Sequence, residues 1–412
     1  MWETKLDRPG DGGASGYDRG VSGTGDGYGR RSSTVHPLTP LLLDQRDPLA
    51  RGRAHGEHWR EEIHELATIR LALALRRGDF RDEAEVLAVA GLHLPVLRSE
   101  LPELADELHG IAEGADLSPE RVVVLNHYTD LRDVPRSVLG DAAPGEPLAP
   151  VEDGDPGGCT AVYLNGDEGP VIGETWDLHA SAEPFVRMLR IAPAGGDEEI
   201  VCLTLTGCLG AAGLSERGVA VAVNNLSSTD GRVGVVWPAV VRAMLQQPSA
   251  QAARELLFRT PLSSGHNYMI ADGEAYYGVE TSGELKVLTQ QGPRAAHLHT
   301  NHCFDPVLRQ REAVRRGSTT FHRLNLATTL YAQQRPRSAQ GLWDLLHTRD
   351  GTPGTLCIDP VPGADPWATA TCAVIVMRLH DGWVRVVRGG EHRGEPLELS
   401  VERWRGTPLD PA

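Results

Sequence analysis

No stretch of the 412 residues stays apolar over the eighteen or so positions that a membrane-spanning helix needs. The start, Met1-Trp2-Glu3-Thr4-Lys5, has no basic opening followed by an apolar run, so a secretory signal is not expected. Six cysteines (159, 202, 208, 303, 357 and 372) are scattered from residue 159 onward without a Cys-x-x-Cys pair. That spacing argues against a zinc ribbon or a disulfide framework and fits a reducing cytoplasm, where a thiol stays usable. Basic charge is in deficit: 40 Lys and Arg stand against 56 Asp and Glu, a formal net charge of −16. Nucleic acid and anionic membrane surfaces are therefore not expected as partners. Internal repeats and a glycine-rich phosphate loop are also missing. What is present is a chain with 40% hydrophobic residues, enough for one large core or two modest ones.

Along the chain, residues 1–35 are rich in Gly, Ser, Asp and Arg and read as a disordered tail. From about residue 57 to 115 apolar residues recur at helical spacing, as in Ile63, Leu66, Ile69 and Leu73, and again in Leu101, Leu104, Leu108 and Ile111. Ser118-Pro119-Glu120 is a helix start, with a capping hydroxyl, a proline at the first position and an acid, and the helix runs to about Leu131. The part before Cys159 thus reads as an all-helical block. From Cys159 the period becomes strand-like. The spacing predicts a hairpin over 159–176 turning at 165–169, strands at 185–191, 200–205, 218–224, 267–271, 274–280, 297–301, 370–379 and 383–388, and helices near 238–247, 250–259 and 338–347. Strands, then helices, then strands again point to a layered sandwich rather than a barrel.

The junction between the two parts carries the chemistry. A Pro/Gly/Asp-rich stretch ends in Gly158-Cys159 and is followed by Thr-Ala-Val-Tyr-Leu164. A cysteine is most often a small buried hydrophobe. At this junction it could also become a new N-terminus. If the bond before it breaks, Cys159 carries a thiol nucleophile and an α-amine of pKa near ~8, so one residue supplies nucleophile and base.

The motifs Gly158-Cys-Thr-Ala-Val-Tyr163, Gly173-Glu-Thr-Trp-Asp177, Gly218-Val-Ala-Val-Ala-Val-Asn224 and His299-Thr-Asn-His-Cys303, with Arg53-Ala-His-Gly56, Gly110-Ile-Ala-Glu-Gly114 and Val124-Leu-Asn126 upstream, resemble the acyl-CoA:6-aminopenicillanic-acid acyltransferase family of self-processing N-terminal-nucleophile hydrolases. The resemblance spans roughly residues 45 to 390. It implies an α+β fold, a four-layer αββα sandwich preceded by a helical pro-segment. It divides the chain into the tail 1–35, a pro-segment 36–158 and a catalytic part 159–412. It further implies self-cleavage between Gly158 and Cys159, an acyl-cysteine mechanism on amides or thioesters, and a cleaved pro-segment that stays bound as a heterodimer.

Residue by residue, the resemblance makes Cys159 the nucleophile and places Asp177 beside its amine, where an ordinary strand-end aspartate is the other reading. Asn301 and Asn224 become candidate oxyanion donors, with Asn225 next door, against capping or turn roles. Glu280 matches a family glutamate without an assigned role, and Thr160 reads as a strand residue. His297, His299, His302 and Cys303 invite zinc, but structural histidines fit better and no metal is expected. One departure stands out: Thr355-Leu-Cys-Ile358 replaces the family's Ser-Ile-Cys-Arg, so an arginine expected near the active site is absent. The activity implied is hydrolysis of a small N-acyl amide. The alternatives are N-acyl transfer from a thioester, with acyl-CoA as co-substrate rather than any bound cofactor, a non-catalytic binding relative, or a papain-like uncleaved thiol paired to a histidine.

Overall fold

The computed structural model describes residues 38–140 and 158–406 apart from 293, 352 and 353; the expected tail 1–35 lies outside the described residues. Before Cys159 the order is β1 (Leu41–Leu43), α1 (Pro48–His58), α2 (Arg60–Arg77), α3 (Glu83–Glu100), α4 (Pro102–Ala115) and α5 (Pro119–Leu131). Caps set these helices as their sequences predict. Asp47 accepts from the Ala50 N–H ahead of Pro48, Asp82 from Glu85, and Ser118 from Arg121 ahead of Pro119. The block is not purely helical, because β1 pairs in parallel with a strand of the downstream part.

The family-like glycines of this block have a packing reason. Gly52 and Gly56 on α1 face Gly110 and Gly114 on α4. A Cβ on Gly52 would sit 1.9 Å from the Glu107 carbonyl oxygen, and one on Gly110 would sit 2.1 Å from that of Leu49. The two helices cross backbone to backbone, which only glycine permits.

Downstream the chain runs β2 (Thr160–Gly166), β3 (Gly169–His179), β4 (Val186–Ile191), β5 (Ile200–Leu205), β6 (Ala212–Ser215), β7 (Ala220–Leu226), α6 (Trp237–Leu245), α7 (Ala250–Arg259), β8 (Gly265–Ala271), β9 (Tyr276–Thr281), β10 (Lys286–Gln291), β11 (Ala296–His299), α8 (Thr320–Gln334), α9 (Ala339–Leu346), β12 (Thr369–Arg378), β13 (Trp383–Arg388) and β14 (Leu397–Ser400). An eight-stranded sheet has the order β1-β4-β5-β6-β7-β8-β9-β10, and a six-stranded sheet the order β11-β2-β3-β12-β13-β14. The two-residue periodicity of the strands divides their side chains. Val162, Leu164, Val171, Val374 and Val376 face α9 through Leu342, Trp343 and Leu346, whereas Ala161, Tyr163, Ile172, Ile375 and Met377 join the core shared with the other sheet. On the far face of the eight-stranded sheet lie α6 and α7. The result is the four-layer αββα sandwich, with the upstream helices sharing its main apolar core.

A buried ion triad ties the upstream block to this sandwich. Glu107 of α4 accepts from Arg51 of α1 at 2.8 Å and from Arg242 of α6 at 3.0 and 3.2 Å, and Arg242 also donates to the Leu209 carbonyl at 2.9 Å. Asn126 of α5 does similar work by hydrogen bonding, donating to the Gly207 carbonyl and accepting from the Leu209 N–H, each at 2.9 Å.

Candidate active site

Cys159 is the residue before β2 and is 5% exposed. The β2–β3 register sets Thr160 opposite Thr175, so Asp177, two residues beyond, comes alongside the cysteine. The thiol makes a long contact, 3.9 Å, with the Asp177 carbonyl. The Asp177 carboxylate accepts from Thr371 on β12 at 2.7 Å and from Thr175 at 3.3 Å. Thr371 in turn accepts from the Ile358 N–H at 2.8 Å, so the segment that lacks the expected arginine helps to fix Asp177 through its backbone.

The missing cation comes from elsewhere. Arg323 on α8 is fully buried and donates to the Cys159 carbonyl at 2.8 Å, to Thr160 Oγ1 at 3.1 Å and to Asn301 Oδ1 at 2.8 Å. Asn301, held in this way, donates to the Asn225 carbonyl at 2.9 Å, and its own N–H is bound by Thr320 Oγ1 at 2.7 Å. Gly158 threads between the two: a Cβ there would lie 2.3 Å from Asn301 Oδ1 and 3.1 Å from an Arg323 nitrogen. Any larger residue before Cys159 would displace this frame.

Asn224 and Asn225 divide differently from the expectation. Alternation along β7 turns Asn224 into the interior, where it is fully buried and accepts from Asn267 at 2.9 Å. Asn225 instead lines the cleft beside Cys159; the Nδ2 atoms of both asparagines are buried without a hydrogen-bond acceptor among the described residues. Glu280 is a clamp: it accepts from His299 at 2.8 Å and from the backbone N–H groups of Phe304 and Asp305 at 2.6 and 2.9 Å. It thereby fixes the loop that follows Asn301. His297 pairs with the Tyr276 hydroxyl and His302 with Thr320, and no group of ligands suited to a metal occurs among the described residues.

Burial pushes the Cys159 thiol well above its ordinary pKa, Asp177 and Glu174 add to this by charge, and Arg323 partly opposes it. In the intact chain Cys159 is therefore held as a thiol. The cleft in front of it is bounded by both parts of the chain. Arg77, Tyr128 and Arg132 come from the upstream helices, and Trp176, Trp237 and Arg315 from the downstream part. Arg323 is not legible in the sequence because its helix buries Thr320, Arg323 and Ala327, a stripe at the right spacing but without large apolar side chains. Asn225 was legible only as an ambiguity of one residue, which strand alternation resolves.

No protein-family model matches the chain. Among curated proteins it is similar to the acyl-coenzyme A:6-aminopenicillanic-acid-acyltransferase 40 kDa form of Emericella nidulans, 26% identical over 262 residues, which is 63% of this chain and 68% of that protein. Among solved structures it is similar to a Caenorhabditis elegans N-acylethanolamine-hydrolyzing acid amidase ortholog, at 15% identity with TM-score 0.36, over 53% of this chain and 92% of that one. It is also similar to penicillin V acylase from Agrobacterium tumefaciens, at 13% identity with TM-score 0.36, over 61% and 89%. At that level of superposition the layer order described above carries the fold. The sequence likeness to the acyl-CoA:6-aminopenicillanic-acid acyltransferase and the αββα layer order agree with the resemblance read from the sequence motifs.

Proposed function

We propose that this protein is a self-processing N-terminal cysteine amidohydrolase that cleaves a small N-acyl amide through an acyl-Cys159 intermediate. The observation that carries this reading is the placement of Gly158-Cys159 at the cleft, between Asp177 on one side and the Arg323–Asn301–Asn225 frame on the other. Maturation starts when the thiol attacks the Gly158 carbonyl and the acyl group moves from nitrogen to sulfur. Water then releases Gly158 as a carboxylate and leaves Cys159 with a free α-amine. In the mature enzyme this amine takes the thiol proton as the sulfur attacks the substrate carbonyl, and the proton departs with the leaving amine. Water resolves the acyl-cysteine. Asn225 Nδ2, a buried donor without a partner, and the amide of Asn301 are the donors proposed for the developing oxyanion. Asp177 orients the amine, and Arg323 is a positioning residue that fixes Asn301 and the Cys159 carbonyl.

The upstream part is proposed to remain bound after cleavage as the partner of residues 159–412. It supplies part of the cleft wall and one side of the buried ion triad.

Intact masses of the wild-type chain and of Cys159→Ala under denaturing conditions test the reading. Two wild-type fragments, ending at Gly158 and beginning at Cys159, with an uncut variant, are expected. A single uncut wild-type chain would remove the proposed base.

A second reading, N-acyl transfer from acyl-CoA to an amine, is favoured by the curated relative. The arginines on the cleft wall suit an anionic donor. Both reactions share the acyl-cysteine and differ in whether water or an amine resolves it. Incubation of the mature protein with acyl-CoA and an amine separates them: product amide accumulating faster than free acid assigns the chain to transfer.

A further inference from the structure

Glu174 lies on β3, three residues before Asp177, and is 1% exposed. Its side chain leaves its own sheet and reaches the other one, where the carboxyl accepts from the Val223 N–H of β7 at 2.8 Å. That N–H is available because β6 pairs with β7 only at Ala220 and Val221. Beyond Val221 the same edge of β7 has no strand beside it among the described residues, while β8 occupies the opposite edge as far as Leu226. Groups two residues apart point the same way along a strand. The Asn225 carbonyl therefore emerges on this edge too, and there it accepts from Asn301. The free edge of β7 is closed twice, at 223 by Glu174 and at 225 by Asn301. Between these two ties stands Asn225, whose side chain faces the nucleophile's cleft.

The chemical setting of this carboxyl is unusual. The hydrogen-bond partner the structure gives it is a backbone N–H, and among the described residues no cation is hydrogen-bonded or ion-paired to it. Its titratable neighbours are Asp177 on its own strand and Cys159 at the head of β2, which both become negative on ionising. Among the positive charges at the site, Arg323 of α8 is turned to the Cys159 carbonyl and Asn301, and Arg77, Arg132 and Arg315 stand on the cleft wall.

We propose that Glu174 is a positioning acid of this site: its carboxyl ties the free edge of β7 to β3, and from its place opposite Ala161 on β2, close to Cys159 and Asp177, it holds back thiolate formation at Cys159. The proposal rests on Cys159 being the nucleophile. Burial pushes the Glu174 carboxyl up to about 8, against the pull of the Val223 N–H, and Asp177 adds to the rise. At neutral pH the group is therefore protonated. Above that, its proton passes to solvent and a carboxylate faces the thiol.

The test uses the full chain with Glu174→Gln, which keeps the carbonyl acceptor without the charge, and Glu174→Ala, which keeps neither. Alkylation of Cys159 by iodoacetamide, mapped by mass across pH 6–10, reads the thiolate. Above about pH 8, where Glu174 is ionised, Glu174→Gln is expected to react roughly tenfold faster than wild type at the same pH, in the range typical of a nearby charge; superimposed profiles overturn the charge role. Thermal midpoints give a readout independent of activity. A carboxyl with a raised folded pKa is most stabilising below its unfolded value, about 4.3, and its contribution is lost as pH rises through the folded value. Wild type should therefore lose ground to Glu174→Gln between those limits, and parallel curves overturn the proposal. Positioning is read from the rate of self-cleavage at pH 7. Glu174→Ala is expected at least tenfold slower than Glu174→Gln, and equal rates overturn this part. A wild-type chain that stays uncut would remove the self-cleavage reading, while the alkylation and unfolding curves would still decide the role of Glu174.

Discussion

At the scale of single residues, the guanidinium of Arg323 shows how a site is completed by geometry rather than by position in a motif. The arginine expected beside Cys357 is replaced by Ile358, yet a guanidinium reaches the backbone of Cys159 from α8. Besides Thr319 on its own helix it reaches Cys159 and Thr160 at the head of β2 and Asn301 in the loop after β11, and a planar fork serves these together. Lysine offers a single charged point, so Arg323→Lys should restore charge without geometry. Charge-assisted hydrogen bonds contribute about 1.5–3 kcal/mol each. Loss of the fork should therefore slow self-cleavage by roughly one to two orders of magnitude, and Lys should recover only a small part of it. The time course of fragment appearance by mass measures both variants. Cleavage at the wild-type rate in Arg323→Lys would reduce the role of Arg323 to net charge. The residues read from the sequence fare according to how local their signal is. Gly158, Cys159, Asp177 and Asn301 meet at one cleft because each sits at a strand end in a motif. Arg323 has no such motif, and the choice between Asn224 and Asn225 depends on the sheet face, which a run as uniformly apolar as Ala220–Val223 does not disclose.

At the scale of elements, periodic apolar residues make most helices and strands legible, and β1, β6, β10, β14 and α8 are among the exceptions. β6, four residues long, and β14, also four, are too short to show an alternation. α8 escapes because its buried stripe is polar and small. β1 was submerged in the helical reading because three leucines in a row carry no period, and it becomes a strand only by pairing with β4. The glycines of α1 and α4 show the reverse, a signal that sequence presents without its reason. Gly in a helix interior costs about 0.5–1 kcal/mol relative to alanine. Here that cost is accepted because the helices touch through their backbones. Gly110→Ala would drive a methyl carbon to 2.1 Å from the Leu49 carbonyl oxygen and 2.8 Å from the Arg53 nitrogen. The helices must separate, which costs about 3 kcal/mol as an overpacked contact. Gly91 on α3 is the control, since a Cβ there meets only a flexible Glu120 side-chain atom at 3.5 Å. Gly91→Ala should be neutral or mildly stabilising. Denaturant midpoints of the two variants check the contrast, and a Gly110→Ala protein as stable as wild type would mean that the crossing is looser than described.

At the scale of the whole molecule, the proposed cut before Cys159 raises the question of what would keep the two pieces together. The main apolar core is continuous across the cut, and the Arg51–Glu107–Arg242 triad lies within that interface. A buried ion pair adds little when compared with an apolar replacement, but removing one partner leaves uncompensated charge and costs about 3–5 kcal/mol. Glu107 is the shared partner, so Glu107→Gln strands two buried arginines. Burial by itself would raise the Glu107 carboxyl, but Arg242 and Arg51 outweigh it and hold the group below the usual carboxylate range. The sign of the linkage follows. A carboxylate depressed on folding stabilises above its unfolded pKa, about 4.3, and that contribution is lost as pH falls through the folded value. In wild type the two fragments should co-elute in size-exclusion chromatography at pH 7, also at high salt, because buried charges are poorly screened. Acidification below about pH 4 should weaken the association. Glu107→Gln should separate at denaturant concentrations where wild type holds, and its acid dependence in this range should flatten. Glu113→Gln, which breaks the solvent-exposed pair with Arg53, should leave both properties unchanged. If Glu107→Gln kept wild-type association and the same acid profile, the upstream fragment would be held by the apolar core alone, and the triad would serve the folding of the uncut chain rather than the mature pair.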